Sequence, residues 1–186
     1  MKELSLNILD IAENSVKAGA GLTQILIDEK DQVLTLSIID DGCGMEPEVV
    51  RSVVDPFYTT RTTRKVGMGV PLLKLACEQA DGKLTIESVT AKQDPEHHGT
   101  KVEATFHTDH IDFTPLGDVV SSITTLIQGH PDTDFLFRHT KDGKEVSVDT
   151  RQLRQILEDV PLSSWDVIQW IDSFLREQYD DFNTVT

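Results

Sequence analysis

The chain has 186 residues, is 38% hydrophobic, and carries 17 basic against 32 acidic residues for a formal net charge of −15. That length holds one domain, or one with a small appendage, around a core that needs no disulfide or metal. The charge argues against nucleic-acid and membrane partners, and any nucleotide site must be locally basic or metal-assisted. Two cysteines, Cys43 and Cys77, make no disulfide framework and no zinc spacing. No apolar run is long enough to span a bilayer, and the start Met-Lys-Glu-Leu carries no signal-peptide pattern, so a cytoplasmic protein is expected.

The first element is a helix from Leu4 to Ala18. Leu4, Ile8, Ile11, Ala12 and Ser15 form its core stripe, widened by Leu9 and Val16. Asp10, Glu13, Asn14 and Lys17 fall at offsets of three and four and share the opposite face. Taken alone, that face reads as a solvated surface with an internal acid-to-lysine pair. Gly19 and Gly21 end the helix. Thr23–Asp28 and Val33–Ile39 then read as an antiparallel strand pair around a polar turn.

The second strand runs into Asp40-Asp41-Gly42-Cys43-Gly44-Met45. An acid at a strand end before two glycines sets a carboxylate at a pocket rim and lets a ligand approach bare backbone. An ordinary Asp-Gly turn explains the same residues. A short helix over 46–54 follows, with Pro47 in its first turn. Next comes Asp55-Pro-Phe-Tyr-Thr-Thr-Arg-Thr-Thr-Arg-Lys65, rich in hydroxyls and cations, and then Val66-Gly-Met-Gly-Val70. Gly67 and Gly69 open a helix over 71–80, where exposed amides and the helix dipole suit an anion. A flexible loop with a glycine hinge is the bland alternative. Gly82 should end this helix. Lys83–Val89 and Gly99–Phe106 are two further strands.

Composition shifts near Asp109. The tail reads as a helix over 118–128, a hairpin around Lys141-Asp-Gly-Lys144, a helix over 152–158 and a last helix over 164–178. Asp149 or Thr150 caps the first of these last two helices. Ser163 caps the second, with Asp166 as its capping-box partner. Trp165, Ile168, Ile171, Phe174 and Leu175 form an apolar stripe on the last helix, Trp170 lying off it. Core packing is its expected use, with a docking groove or a homodimer surface as the alternatives.

Four separated signals thus occur in one order: the polar helix face, the strand-end Asp with glycines, the Pro-Phe-x-Thr-Thr loop, and Gly-x-Gly before a helix. Together they resemble the GHKL ATPase superfamily of gyrase, chaperone, histidine-kinase and mismatch-repair ATPases, over residues 4 to 107. Leu9–Ala20 is similar to the mismatch-repair form of the N box. The loop over 55–70 is more similar to histidine-kinase catalytic domains. The resemblance implies an α+β fold of Bergerat type, a mixed and mostly antiparallel sheet with helices on one face. It divides the chain into an ATP-binding domain over 1–110 and a small αββαα appendage over 111–186.

By resemblance, the cofactors are ATP or ADP with Mg²⁺. Asn14 is the metal ligand through its amide oxygen, a hard donor for a hard ion, and Lys17 approaches the phosphates. Asp40 accepts the adenine amino group, Gly42 and Gly44 pass close to the nucleotide, and Thr100 supports adenine recognition through the Asp. Gly67, Met68 and Gly69 offer amides to phosphate. Thr59, Thr60, Arg61 and Lys65 belong to an ATP lid. Asp10 stands where the family has Glu or Asn, one methylene short of the hydrolase base, and is the catalytic candidate.

The glycine box opens on Lys65 and Val66, without the leading glycine of many kinases. The N box begins almost at the first residue, so no phosphoacceptor helix is expected ahead of it. His97, His98, His107, His110, His130 and His139 read as exposed residues in loops or strand edges, none placed like a phosphoacceptor.

Three functions fit this reading: a kinase module acting on a separate protein at His or Ser, an ATP-driven regulatory switch with slow hydrolysis, and a DNA-linked ATPase. The charge disfavours the third. The partner of the first two is an unidentified protein substrate or regulatory partner.

Overall fold

The computed structural model describes residues 3–55 and 68–184. The elements run α1 (Leu4–Lys17), β1 (Leu22–Lys30), β2 (Val33–Asp40), α2 (Pro47–Val54), α3 (Gly69–Gln79), β3 (Leu84–Val89), β4 (Gly99–His107), α4 (Val119–Gly129), β5 (Asp134–Lys141), β6 (Lys144–Asp149), α5 (Thr150–Leu157) and α6 (Trp165–Asn183). The strands form one six-stranded sheet in the order β3-β4-β2-β1-β5-β6. The pair β1–β5 is parallel, and the other neighbours are antiparallel. This is the mixed, mostly antiparallel α+β architecture that the sequence implies.

Alternation places the core. Ile25 and Ile27 of β1 lie in register with Ile38 and Leu36 of β2. Those continue through Val102 and Ala104 of β4 and through Phe137 of β5 to Val148 of β6. All are buried, and because the side-chain period of a strand is two they share one face. Against that face pack α1, α3, α4 and α6. In α1 the predicted stripe is the buried one: Leu4, Ile8, Ile11, Ala12 and Ser15.

The tail shares this sheet and this core. Its strands β5 and β6 extend the sheet beyond β1, and α4 packs along α1. Both hairpin turns are built from left-handed residues, Asp31-Gln32 (φ 51° and 62°) and Asp142-Gly143 (φ 51° and 77°). Paired positive φ values match the strand twist in a two-residue turn.

Several local expectations are corrected. After α3 the left-handed residue is Asp81 (φ 53°), not Gly82. Gly82 is needed instead for close approach, since a Cβ there would lie 1.7 Å from the carbonyl oxygen of Thr105. The N-cap of α6 is Ser164, with no side-chain cap hydrogen bond, so the Ser163/Asp166 capping box does not form. Asp149 does cap α5, accepting from the Arg151 amide. On α6 the buried residues are Val167, Ile168, Ile171 and Leu175, while Trp165 and Phe174 leave the expected stripe and face solvent.

His97 and His107 are exposed as expected, whereas the other histidines are not. His139 is buried in β5, its Nδ1 2.8 Å from the Tyr179 hydroxyl and its Nε2 2.8 Å from Glu29. A strand between two others buries one face whatever the residue type, and here the polar ring is matched by partners on β1 and α6. Its hydrogen bond to Glu29, opposed by burial and helped by Lys141, holds the Glu29 carboxyl down at about 2.

Candidate functional site

The site sits where α1 ends over the end of β2. Asp40 closes β2, and its two oxygens are held from two sides. The Ser15 hydroxyl donates to Oδ2 at 2.7 Å, and the Gly42 amide donates to Oδ1 at 2.9 Å. An ionised carboxylate has about four lone-pair sites, so acceptor capacity remains on a half-buried group. The neighbouring acid works differently. Asp41 accepts the amides of Gly21 and Leu22 at 2.8 and 2.9 Å, pinning the turn after α1 to the loop after β2.

Glycine is required in this loop by contact. At Gly42 a Cβ would come within 2.9 Å of the Ala18 Cβ and 3.0 Å of Asp40 Oδ1. Gly44 has φ +71°, and a Cβ there would sit 1.9 Å from the Val89 carbonyl oxygen. The loop is laced to both sides, by the Cys43 amide to the Ala18 carbonyl at 2.9 Å and the Ala91 amide to the Cys43 carbonyl at 3.1 Å. A pocket of about 280 Å³ opens on its outer side, lined by Cys43, Met45, Val49 and Thr90 among others.

Strand register lines up a polar row beneath Asp40. Thr23 of β1 faces Asp40, Asp40 faces Thr100 of β4, and Thr100 faces Ser88 of β3. The hydroxyls of Ser88 and Thr100 are 2.8 Å apart. Ser88 donates to the Gly99 carbonyl at 3.1 Å and accepts the Met45 amide at 2.7 Å. With its one proton spent on Gly99, it accepts from Thr100. Thr100 therefore stands opposite Asp40 with its hydroxyl turned to Ser88. The Thr23 hydroxyl is buried with no partner among the described residues.

On α1, Asp10, Asn14 and Lys17 are exposed, as their shared face requires. Glu13 is turned away from Lys17 and meets His130, at the end of α4, across 2.8 Å. Gly69, the first residue of α3, packs on α1 at Asp10. A Cβ on Gly69 would lie 3.0 Å from that of Asp10. This contact brings the carboxylate-bearing turn of α1 to the α3 N-terminus, whose first amides have no intrahelical acceptor. Met68 is exposed beside it. Thr59, Thr60, Arg61, Lys65 and Gly67 lie outside the described residues.

Three participants escape a reading by motif. Ser15 belongs to the buried stripe of α1, yet its hydroxyl serves Asp40; a polar residue on an apolar stripe was the available signal. Ser88 sits at an alternating strand position like any other. His98, read as exposed, is half-buried and places Nδ1 2.5 Å from the Gly42 carbonyl oxygen, a contact across 56 residues with no local signature.

This arrangement has relatives. The chain belongs to the histidine kinase-, DNA gyrase B- and HSP90-like ATPase family, whose model matches residues 2–110. It is similar to a putative sensor histidine kinase NtrY-like of Rickettsia felis, 29% identical over 87 residues, which are 46% of this chain and 14% of that protein. It is also similar to sporulation kinase C of Bacillus subtilis, 28% identical over 92 residues, 50% of this chain and 21% of that one. The chain thus spans only a fraction of the length of these curated relatives. Among solved structures, the Aquifex aeolicus MutL ATPase domain complexed with ADP superposes with a TM-score of 0.54 at 15% identity, covering 85% of this chain and 70% of that one. The N-terminal domain of a DNA repair protein gives 0.56 at 17%, covering 80% and 53%. These likenesses are of fold, and they extend past the family-matched segment. The chain contains, then, a histidine-kinase-like ATPase domain.

Proposed function

We propose that the chain binds Mg²⁺-ATP and acts as a kinase module on a separate protein. The observation that carries this reading is the preset carboxylate of Asp40. It is fixed by Ser15 and Gly42, keeps free acceptor capacity, and sits against a loop whose glycines leave backbone bare. An exocyclic amino group is a natural donor to such a carboxylate, and the choice of adenine among the bases that carry one follows the ATPase family match. A hydrogen bond to a charged group contributes about 1.5–3 kcal/mol.

The remaining residues fit the same ligand. Asn14 offers an amide oxygen from an exposed position, which suits an ion held by few protein ligands, water and phosphate oxygens. Magnesium there would neutralise phosphate charge. Lys17, Met68 and Gly69 would face the phosphates, with the segment over 59–67 closing on them. Asp10, beside Gly69, would take the proton of the attacking group, an acceptor on the partner or a water. ATP would leave as ADP, its terminal phosphoryl group passing to that acceptor.

The runner-up is a regulatory switch with slow hydrolysis. Asp10 favours it, being shorter than the glutamate that the fold family uses as base. The charge of −15 speaks against a DNA-linked ATPase. We assign the protein to the cytoplasm; no helix among the described residues is long and apolar enough to cross a membrane. We also place a functional boundary at residue 110, where the family match ends, although sheet and core run on across it. Calorimetry with ATP, with and without Mg²⁺, tests the reading. The wild type should bind more tightly with Mg²⁺, and Asn14→Ala should lose that difference. Labelled phosphate from ATP then distinguishes kinase from switch by whether it reaches a protein acceptor or only water.

A further inference from the structure

The last helix carries exposed aromatics that the core does not use. Both tryptophans of the chain lie on α6, Trp165 at 67% and Trp170 at 51% exposure, with Phe174 at 36%. The rings of Trp170 and Phe174 stack at 4.9 Å with planes 10° apart, one helical turn apart on the surface. The helix already has its core face in Val167, Ile168, Ile171 and Leu175, so these aromatics are surplus to packing. Apolar exposure continues back through Val160 to Ile156, at the corner between α5 and α6.

Charge restricts what can cover these residues. Exposed Glu158, Asp159, Asp166, Glu177, Asp180 and Asp181 surround the aromatics in sequence. The lone basic residue between 156 and 181, Arg176, is engaged by Asp118 and Asp172. A second copy would set acid against acid, and an anionic membrane or nucleic acid would be repelled.

We propose that α6 is a docking helix for a different protein, one that offers an apolar face flanked by lysine and arginine. Anchors spaced i and i+4, as Trp170 and Phe174 are, are the means by which a helix lays an apolar face against an apolar partner surface. Tryptophan at the centre of an interface carries much of the binding energy, and the acidic surround steers a basic partner and rejects acidic ones. The surface lies outside the family-matched residues 2–110, so it stands or falls apart from the nucleotide reading.

The test uses the full chain and two probes: a short amphipathic helical peptide of leucine and lysine, and oligolysine of equal charge. Tryptophan emission reports directly, because Trp165 and Trp170 are the only tryptophans. The amphipathic peptide should shift the emission to the blue, saturate, and weaken as salt rises, while oligolysine should bind far less. The double variant W170A/F174A should bind the peptide roughly tenfold or more weakly by calorimetry, with an unchanged melting temperature. Equal binding of both probes, or wild-type affinity in W170A/F174A, overturns the proposal. So does concentration-dependent dimerisation in sedimentation that W170A/F174A abolishes, since the occupant is then a second copy.

Discussion

Ser15 on α1 donates its hydroxyl to Asp40 on β2 across 2.7 Å, tying the helix that carries Asn14 to the carboxylate assigned to adenine. The link fixes the Asp40 rotamer before any ligand arrives, so the ordering cost is met during folding. Ser15→Ala should weaken ADP affinity by about 1 kcal/mol, the net value of one such bond, while the fold survives. Isothermal calorimetry checks this, and an unchanged affinity would show that Asp40 needs no tether.

The two thiols should behave oppositely. Burial pushes the Cys77 thiol up to about 11, whereas Cys43 is exposed between Gly42 and Gly44. A thiol reagent should therefore modify one cysteine quickly in native protein, and the site should be Cys43. Saturating ADP should slow that reaction several-fold. Peptide mapping after timed labelling decides both points; equal rates with and without ADP would place the ligand away from this loop.

Acid should act through Glu29. Its folded value of about 2 lies below its ordinary 4.5, so its contribution is complete above pH 4.5 and is lost as pH falls towards 2. For a half-buried carboxylate this is on the order of 1–3 kcal/mol. Glu29→Gln should lower stability at neutral pH and flatten the acid limb of the stability profile, seen by urea denaturation at several pH values. An acid limb as steep as wild type would mean that other carboxylates carry it.

The frame of the site was legible in the sequence because each part of it obeys a local rule. The α1 stripe follows helical period, Asp40 follows an alternating strand, and Gly42 and Gly44 mark a loop that must come close to backbone. What was hidden depends on distance in the chain. Ser15 reaches Asp40 across 25 residues, and Glu13 reaches His130 across 117. His139 read as a surface residue because nothing local says that β5 lies inside the sheet, paired with β1 from the other end of the chain. Trp165 and Phe174 count as one apolar stripe in the sequence, yet their separation of nine residues is about two and a half turns, which sets them on opposite sides of the helix, flanking a core face made of Val167, Ile168, Ile171 and Leu175.

Asp10 separates chemistry from binding. It packs beside Gly69 at the start of α3, and general-base help is worth about 10²–10⁴-fold. Asp10→Asn should keep ATP affinity within about twofold, since it removes no ground-state contact in the proposal, and should remove most turnover. Single-turnover hydrolysis beside a binding titration measures both. Turnover equal to wild type would leave the base unassigned and favour the switch that does not depend on hydrolysis.

The central claim is that Asp40 reads an adenine nucleotide, and the most direct measurement is ADP titration of wild type and Asp40→Asn by calorimetry, with circular dichroism to show that both are folded. The account predicts clear binding by wild type, a loss of about 1–3 kcal/mol in the variant, and no comparable binding of GDP, whose ring offers a carbonyl where adenine offers an amino group. A folded Asp40→Asn that binds ADP as tightly as wild type, or a wild type that binds GDP equally well, would contradict it.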